Sequence, residues 1–421
     1  MKVIYTQHIP YRHLPEDFIS RYREPVVTNP YYELVDPDLV HADIRASLDE
    51  AMHAARAGFD AVATSEHGGS SYDMNPNPGL GAAAFAYATE AEGLATGIFT
   101  AGRSLGKTRE PLRVAEEQAW LDCLSGGRLI SGFPVGLAYD ANLNAGIPPI
   151  ETRGRFDENF ELVLRAWTER APFPFNGRYS QHMAVNIWPR PVQNPHPPVN
   201  VTGVGNPNTT RFALERDLGF NLVALGGHPE INARPIFDHL WRTADELGTD
   251  DNPYRAGFAV WVAVADTDAQ AEQLYAPHIE YSLRTGIAAI PPYRLALPGG
   301  ISPPGLRALL GRGGFGQADA PSYADAVKAG LIIAGSAATV GEQLAQYARD
   351  FRVGNLLVFL QIGSMPQELT THNIDQFATG VLPHLRPLWS DYDDANRWWP
   401  VRLGGQPASH KQADLSGTRL T

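Results

Sequence analysis

One cysteine, Cys123, stands among 421 residues. A lone thiol excludes an intrachain disulfide framework and any cysteine-rich metal site. It lies in the amphipathic run PLRVAEEQAWLDCL, where a buried, inert thiol is the expectation rather than a nucleophile. No stretch of eighteen apolar residues exists, so no membrane-spanning helix is expected. The first residues, MKVIYTQHIPYRH, lack the charged, apolar and small-residue succession of a secretory leader, which makes the cytoplasm the expected compartment. Positive charge is scarce: 34 Lys and Arg stand against 46 Asp and Glu, a formal charge of −12. Without a concentrated basic face, nucleic acid is excluded as a partner, and any anionic ligand must be held by a local site. Zinc-type H-E-x-x-H and H-x-x-x-H spacings are missing, so no metal is expected.

What is present is a regular alternation. Short apolar, β-branched runs are separated by longer amphipathic ones. The runs KVIYTQ, DAVATS, TGIFTA, RLISGF, VNVTG, FNLVAL, GFAVWVAVA and NLLVFLQ read as eight strands. Helices are expected over 38–58, 79–93, 111–124, 153–169, 208–218, 231–247, 268–284, 337–351 and 367–382. Pro111 suits a first helical turn. Strand–helix alternation implies a parallel sheet, and eight repeats imply closure into a (β/α)8 TIM barrel. An open doubly wound sheet is the alternative. Against it, no strand is followed by a G-x-G-x-x-G turn that opens a helix; the close approach after a strand, GVGNPN at 203–208, lacks the third glycine. Two segments break the rhythm. Residues 171–198 are rich in proline and aromatics and suggest a small hairpin. Residues 285–322 mix proline, glycine and apolar side chains, a composition expected of a lid over the barrel mouth. Arg294, Arg307 and Arg312 would make such a lid cleavable by trypsin. A single barrel domain over 1–392 and a tail over 393–421 follow, with the tail's start packed on the barrel and its last fifteen residues mobile.

In such a barrel the site lies in the loops that follow the strands. His67 stands directly after the second strand, beside Glu66 and ahead of Gly68-Gly69. An imidazole there can exchange a proton near pH 7, or can merely fasten a loop. His8, after the first strand, faces the same mouth and is a candidate for substrate contact. His182, His196 and His228 are expected at the surface. After the fifth strand, Gly203, Gly205, Asn206, Asn208 and Thr209 run into a helix N-terminus, a place that favours an anion. A plain helix cap is the alternative reading.

Several stretches together resemble the luciferase-like flavin monooxygenases. They are DAVATSEH at 60–67, PLRVAEEQAWLDCLSGGRLISG at 111–132, RFDENFELVLRAW at 155–167 with Asn-Gly-Arg-Tyr at 176–179, and WPRPVQNPHPPVNVTG at 188–203. AGSAATV at 334–340 and FATGVLPHLR at 377–386 also fit. The resemblance implies a luciferase-like (β/α)8 barrel that uses reduced FMN, supplied by a separate flavin reductase, and O2 to oxygenate a small organic substrate. It implies a homodimer. It makes His67 and Glu66 the catalytic candidates and assigns the flavin phosphate to the loop 203–209. A non-proline cis peptide near Phe99 and Thr100, under the flavin ring, is also implied. Two positions depart from luciferase. Val135 replaces an arginine that holds the phosphate, so Arg153 or Arg155 must supply that charge. Pro134 replaces a cysteine, and light emission is not implied. Hydride transfer with a deazaflavin, or flavin binding without turnover, are the alternatives.

Overall fold

The computed structural model describes residues 1–223, 229–297, 299, 303 and 321–409. Eight parallel strands close into a barrel. They are β1 (Lys2–Gln7), β2 (Ala61–Thr64), β3 (Gly97–Thr100), β4 (Leu129–Gly132), β7 (Val199–Gly203), β8 (Gly219–Val223), β9 (Ala256–Ala265) and β11 (Asn355–Phe359). Each pairs with the next, and β11 returns to β1 through Lys2↔Asn355 to Tyr5↔Val358. These are the eight runs that the sequence singles out. A ninth strand, β10 (Ile332–Ser336), was not expected from the sequence. It pairs with the far half of β9, from Ile332↔Trp261 to Ser336↔Ala265. The reason is the length of β9. Its ten residues outrun the barrel, leaving its second half free to take another partner after β11 has used the first half, 257–261.

The alternation of side chains along these strands divides the core in two. Ile4, Ala61, Ala63, Phe99, Ile130, Leu357 and Phe359 fill the barrel interior. Val3, Tyr5, Val62, Ile98 and Leu129 point outward into the larger core under the helices. Helices form where the sequence places their caps. Asp36 Oδ1 accepts from Asp38 N at 2.9 Å ahead of the helix Pro37–Arg56, and Asn77 Oδ1 accepts from Gly79 N at 2.7 Å ahead of Pro78–Ala91.

Residues 173–185 form the hairpin, with β5 (Phe173–Asn176) antiparallel to β6 (Gln181–Val185). Its turn is held by a side chain from the preceding helix Thr152–Thr168. The Glu158 carboxylate accepts from Arg178 N at 2.6 Å, Tyr179 N at 2.9 Å and Ser180 N at 2.8 Å. Gly177 is required there, because a Cβ would lie 2.4 Å from Glu158 Cδ. The chain after residue 392 continues as part of the same body. Trp398 and Trp399 are each 2% exposed, and Trp399 belongs to the cluster inside the barrel, beside Leu403. Residues 410–421 of the expected mobile tail lie outside the described residues. No helix among the described residues is long and apolar enough to cross a membrane.

Candidate functional site

Because all barrel strands run parallel, their C-terminal ends share one rim. A cavity of about 300 Å³ opens there. Its lining includes His8 after β1, Glu66 and His67 after β2, Ala101 and Gly102 after β3, and Pro134 to Gly136 after β4. Gly203, Asn206, Asn208, Thr209 and Arg153 line it on the β7 side. The structure thus brings together most of the residues proposed from sequence. Three do not join them. Phe99 is packed inside the barrel, and the Thr100 hydroxyl turns outward to Gln118 Oε1 at 2.8 Å. Gly205 lies in the β7 loop against Ile236, away from the lining. The expected cis peptide near Phe99 and Thr100 is also not found. The cis bonds among the described residues are Trp188–Pro189 and Asn194–Pro195.

His67 is held from behind. Its Nδ1 lies 3.1 Å from Asp140 Oδ2 and 2.9 Å from the Tyr139 hydroxyl, which in turn bonds the hydroxyl of Tyr72. Asp140 Oδ1 accepts from Gly68 N at 2.7 Å and from Lys107 Nζ at 3.2 Å. Burial pushes the Asp140 carboxyl up. The bond to His67, its charge and that of Lys107 outweigh burial and hold the carboxyl below the usual range. An ionised Asp140 can only accept, so it fixes the proton on His67 Nδ1 and leaves Nε2 for a ligand. Burial drives both tyrosine hydroxyls well above their ordinary pKa, so they stay protonated. Tyr139 and Asp140 sit at the start of a single π-helical turn, Tyr139–Asn144. Such turns are frequent at functional sites.

Glu66, the expected acidic partner of His67, is bonded elsewhere. Its carboxylate accepts from Arg103 Nη1 and Ser104 N, each at 3.2 Å, and pairs with Lys107 Nζ at 3.1 Å. Its oxygens are engaged by cations and a backbone amide, which suits a group that fixes the β3 loop. Asp140, Tyr139, Tyr72 and Lys107 were not singled out from sequence. They arrive from distant segments, and no local spacing announces them. Only the placement of Tyr139 and Asp140 a few residues past β4 was available as a cue.

His8 stands against the Phe359 ring at 4.6 Å between centroids, with His67 at 5.8 Å and Tyr72 at 5.9 Å. Burial lowers its pKa to about 4, so the ring is neutral above that pH. His8, His67 and Asp73 bring potential metal-ligand atoms within 4.8 Å of one another. Asp73, however, already accepts from Ile9 N, Asn75 N and the Ser65 hydroxyl, and so serves to tie the loops. His196 corrects another expectation. It is 1% exposed, packed on Trp167 and bonded through Nδ1 to Pro197 O. His228 lies outside the described residues. Cys123 is half-buried and its thiol donates to Arg190 O at 3.2 Å.

On the β7 side, Asn206 caps the helix Pro207–Glu215. The first-turn amides have partners: Asn208 N donates to Asn206 Oδ1, and Thr209 N and Thr210 N to Asn206 O. An anion here therefore meets the positive end of the helix, the Thr209 hydroxyl and the Arg153 guanidinium. Arg153 reaches Thr209 Oγ1 at 3.3 Å and is steadied by Asp157 at 3.0 Å. Arg155 pairs with Glu151 at 2.8 Å and is not among the cavity lining. Above the mouth, Ile287 and Leu295 from the first part of 285–322 line the cavity, and Arg294 is clamped by Glu24 at 2.6 Å. Most of the expected lid, including Arg307 and Arg312, lies outside the described residues.

Residues 28–352 match the family model for luciferase-like monooxygenases. The chain belongs to that family. Membership makes it an oxidoreductase on a TIM barrel. Among curated relatives, this luciferase-like chain is 29% identical over 175 residues to the oxygenase component of a flavin-dependent trigonelline monooxygenase from Acinetobacter baylyi. The match covers 41% of this chain and 46% of that protein, under half its length. It is 25% identical over 260 residues to limonene 1,2-monooxygenase of Rhodococcus erythropolis, covering 59% and 64% of the two chains. Among solved structures, monooxygenase RslO1 from Streptomyces bottropensis aligns with a TM-score of 0.67 at 22% identity, over 91% of this chain and 99% of that one. The FMN complex of the oxygenating constituent of 3,6-diketocamphane monooxygenase from Pseudomonas putida gives 0.65 at 19% identity, over 91% and 98%. An F420-dependent secondary alcohol dehydrogenase gives 0.61 at 17%, over 91% and 99%. These structural likenesses establish the fold.

Proposed function

We propose that this protein is the oxygenase component of a two-component flavin monooxygenase. It would take reduced FMN from a separate flavin reductase and use O2 to oxygenate a small organic substrate. The observation that carries this reading is the division of one cavity into two unlike ends. The β7 end offers Arg153, Thr209 and a helix N-terminus, which suit a phosphate. The β1–β2 end, three to four strands round the barrel, offers His67 backed by Asp140. Between them lie small or apolar residues such as Ala101, Gly102 and Val135, which leave room for a flat ring. That arrangement fits a flavin whose phosphate lies at Arg153 and whose ring reaches towards His67.

The reduced flavin supplies the electrons that activate oxygen; the protein supplies what surrounds it. Arg153 and Thr209 bind the phosphate. Apolar side chains such as Val223, Ile287 and Leu295 keep water from the reacting end. His67, oriented by Asp140 and Tyr139, holds or moves a proton at Nε2. Trigonelline and limonene monooxygenases among the relatives favour oxygen chemistry, while the F420-dependent neighbour keeps deazaflavin hydride transfer as the second reading.

The test is anaerobic titration of the purified protein with chemically reduced FMN and, in parallel, with reduced deazaflavin, followed by mixing with oxygenated buffer. Tight binding of reduced FMN and a protein-dependent change in its reoxidation support the proposal. Binding of the deazaflavin alone, with no effect on FMN reoxidation, transfers the assignment to the second reading.

A further inference from the structure

Two imidazoles at the β1–β2 end of the cavity have hydrogen-bonding capacity that the protein leaves unused. His8 makes no side-chain hydrogen bond among the described residues, although it lines the cavity. His67 uses Nδ1 on Asp140 and Tyr139 and makes no bond through Nε2 among the described residues. A ring nitrogen of His8 lies within 4.8 Å of a ring nitrogen of His67. One oxygen of a ligand lodged between the two rings would approach both at hydrogen-bond distance. Around them the wall is apolar: Phe359 packs on His8, and Leu357, Ala259, Val223 and Ile287 continue the lining.

The charged groups that line the cavity are already matched. Glu66 is bonded to Arg103 and Lys107, Asp140 to His67 and Lys107, and Arg153 to Asp157 at the opposite end. A carboxylate placed between the two histidines would lose its hydration and face the Asp73 carboxylate, which costs several kcal/mol, and an ammonium would find Asp73 already engaged by two backbone amides and the Ser65 hydroxyl. A neutral oxygen loses little and satisfies two polar groups that would otherwise face an apolar ligand.

We propose that the substrate is an uncharged, largely apolar molecule whose carbonyl or hydroxyl oxygen sits between His8 and His67. The inference names the substrate class for the site described above and rests on that site being the reaction centre. The low pKa of His8, about 4, agrees with it, because the ring stays neutral and offers one donor and one acceptor. His8 is thereby a specificity residue: it selects for the oxygen and against charge.

The test is calorimetric binding of a matched series, 2-octanone, 2-octanol, octanoate and octylammonium, to the flavin-free protein and to the FMN-loaded protein. The ketone and alcohol should bind at least tenfold more tightly than either ion. His8→Phe should weaken the ketone and alcohol about tenfold, the worth of one hydrogen bond. His8→Gln, which keeps a donor and an acceptor, should restore part of the loss. Octanoate or octylammonium binding as well as the ketone overturns the proposal. So does a ketone preference that survives unchanged in folded His8→Phe, which would reveal hydrophobic partition alone. Absence of binding by the whole series, in protein that binds FMN, also overturns it and leaves the flavin assignment standing. Binding of the ketone by protein that takes up no flavin would do the reverse.

Discussion

At the scale of single residues the site depends on how His67 is held. A loop side chain lining a cavity contributes little to the core, so His67→Ala should fold normally. Turnover should fall by roughly two to four orders of magnitude, as for removal of a general acid or base; activity within a few-fold of wild type would remove His67 from the reaction. Asp140→Asn keeps the shape but loses the charge that fixes the Nδ1 proton. It should lower kcat while leaving KM for substrate nearly unchanged, since Asp140 acts through His67. A steady-state comparison of the two parameters checks this. The same substitution loosens Lys107, so Lys107→Met is the control that separates the effect on His67 from that on the loop.

At the scale of elements, the β7 loop and its helix form the proposed phosphate site. Asn206→Asp is an informative change because aspartate caps a helix as well as asparagine. It should leave the melting temperature unchanged while placing a negative charge at the proposed phosphate site. Arg153→Ala removes the guanidinium beside Thr209. Both should weaken FMN by tenfold or more and riboflavin, which has no phosphate, far less. Fluorescence titration with the two flavins measures the difference; equal losses for both would show that the phosphate binds elsewhere. The hairpin is a second element with its own logic. Glu158 accepts three backbone amides of its turn, so Glu158→Ala should destabilise the fold without touching the cavity.

At the scale of the whole molecule, the far end of the barrel is closed by the chain's own C-terminal part. Trp399 fills the interior there, and Arg397 ties Asp217 and Asp250. Trp399→Ala should cost about 3–5 kcal/mol in urea unfolding, with flavin affinity preserved because the cavity lies at the other rim. Stability should also depend on pH. Burial lowers the pKa of His8 and of His196 to about 4, against 6.5 in the unfolded chain. Between those values the unfolded chain binds the extra protons, so stability is fully present above about pH 6.5 and is lost as pH falls through about 4. Unfolding midpoints at pH 7 and pH 4.5 should differ, and the difference should shrink in His196→Gln. An unchanged difference would mean that this buried imidazole does not contribute to it.

The sequence by itself determined the architecture. Eight apolar runs alternating with capped amphipathic helices call for a parallel sheet covered by helices, because strands buried on both faces must be covered by the helices between them, and eight repeats favour its closure into a barrel. It also pointed to the rim at which the cavity opens, and with it to His8, His67 and Asn206 in its lining. Tertiary structure alone decided the partners. Glu66 adjoins His67 in the chain yet binds the β3 loop, while Asp140, 73 residues away, supplies the acid that orients it. Phe99 and Thr100 end the right strand but face the interior and the helices, because side-chain direction depends on register around the closed barrel. Strand β10 forms only because β9 outruns its neighbours, a fact about relative strand lengths that no single stretch contains. Local propensity and hydrophobic pattern act over a few residues and are written in order along the chain. A cavity is made by side chains from many strands at once, and its contents are fixed only when the barrel closes.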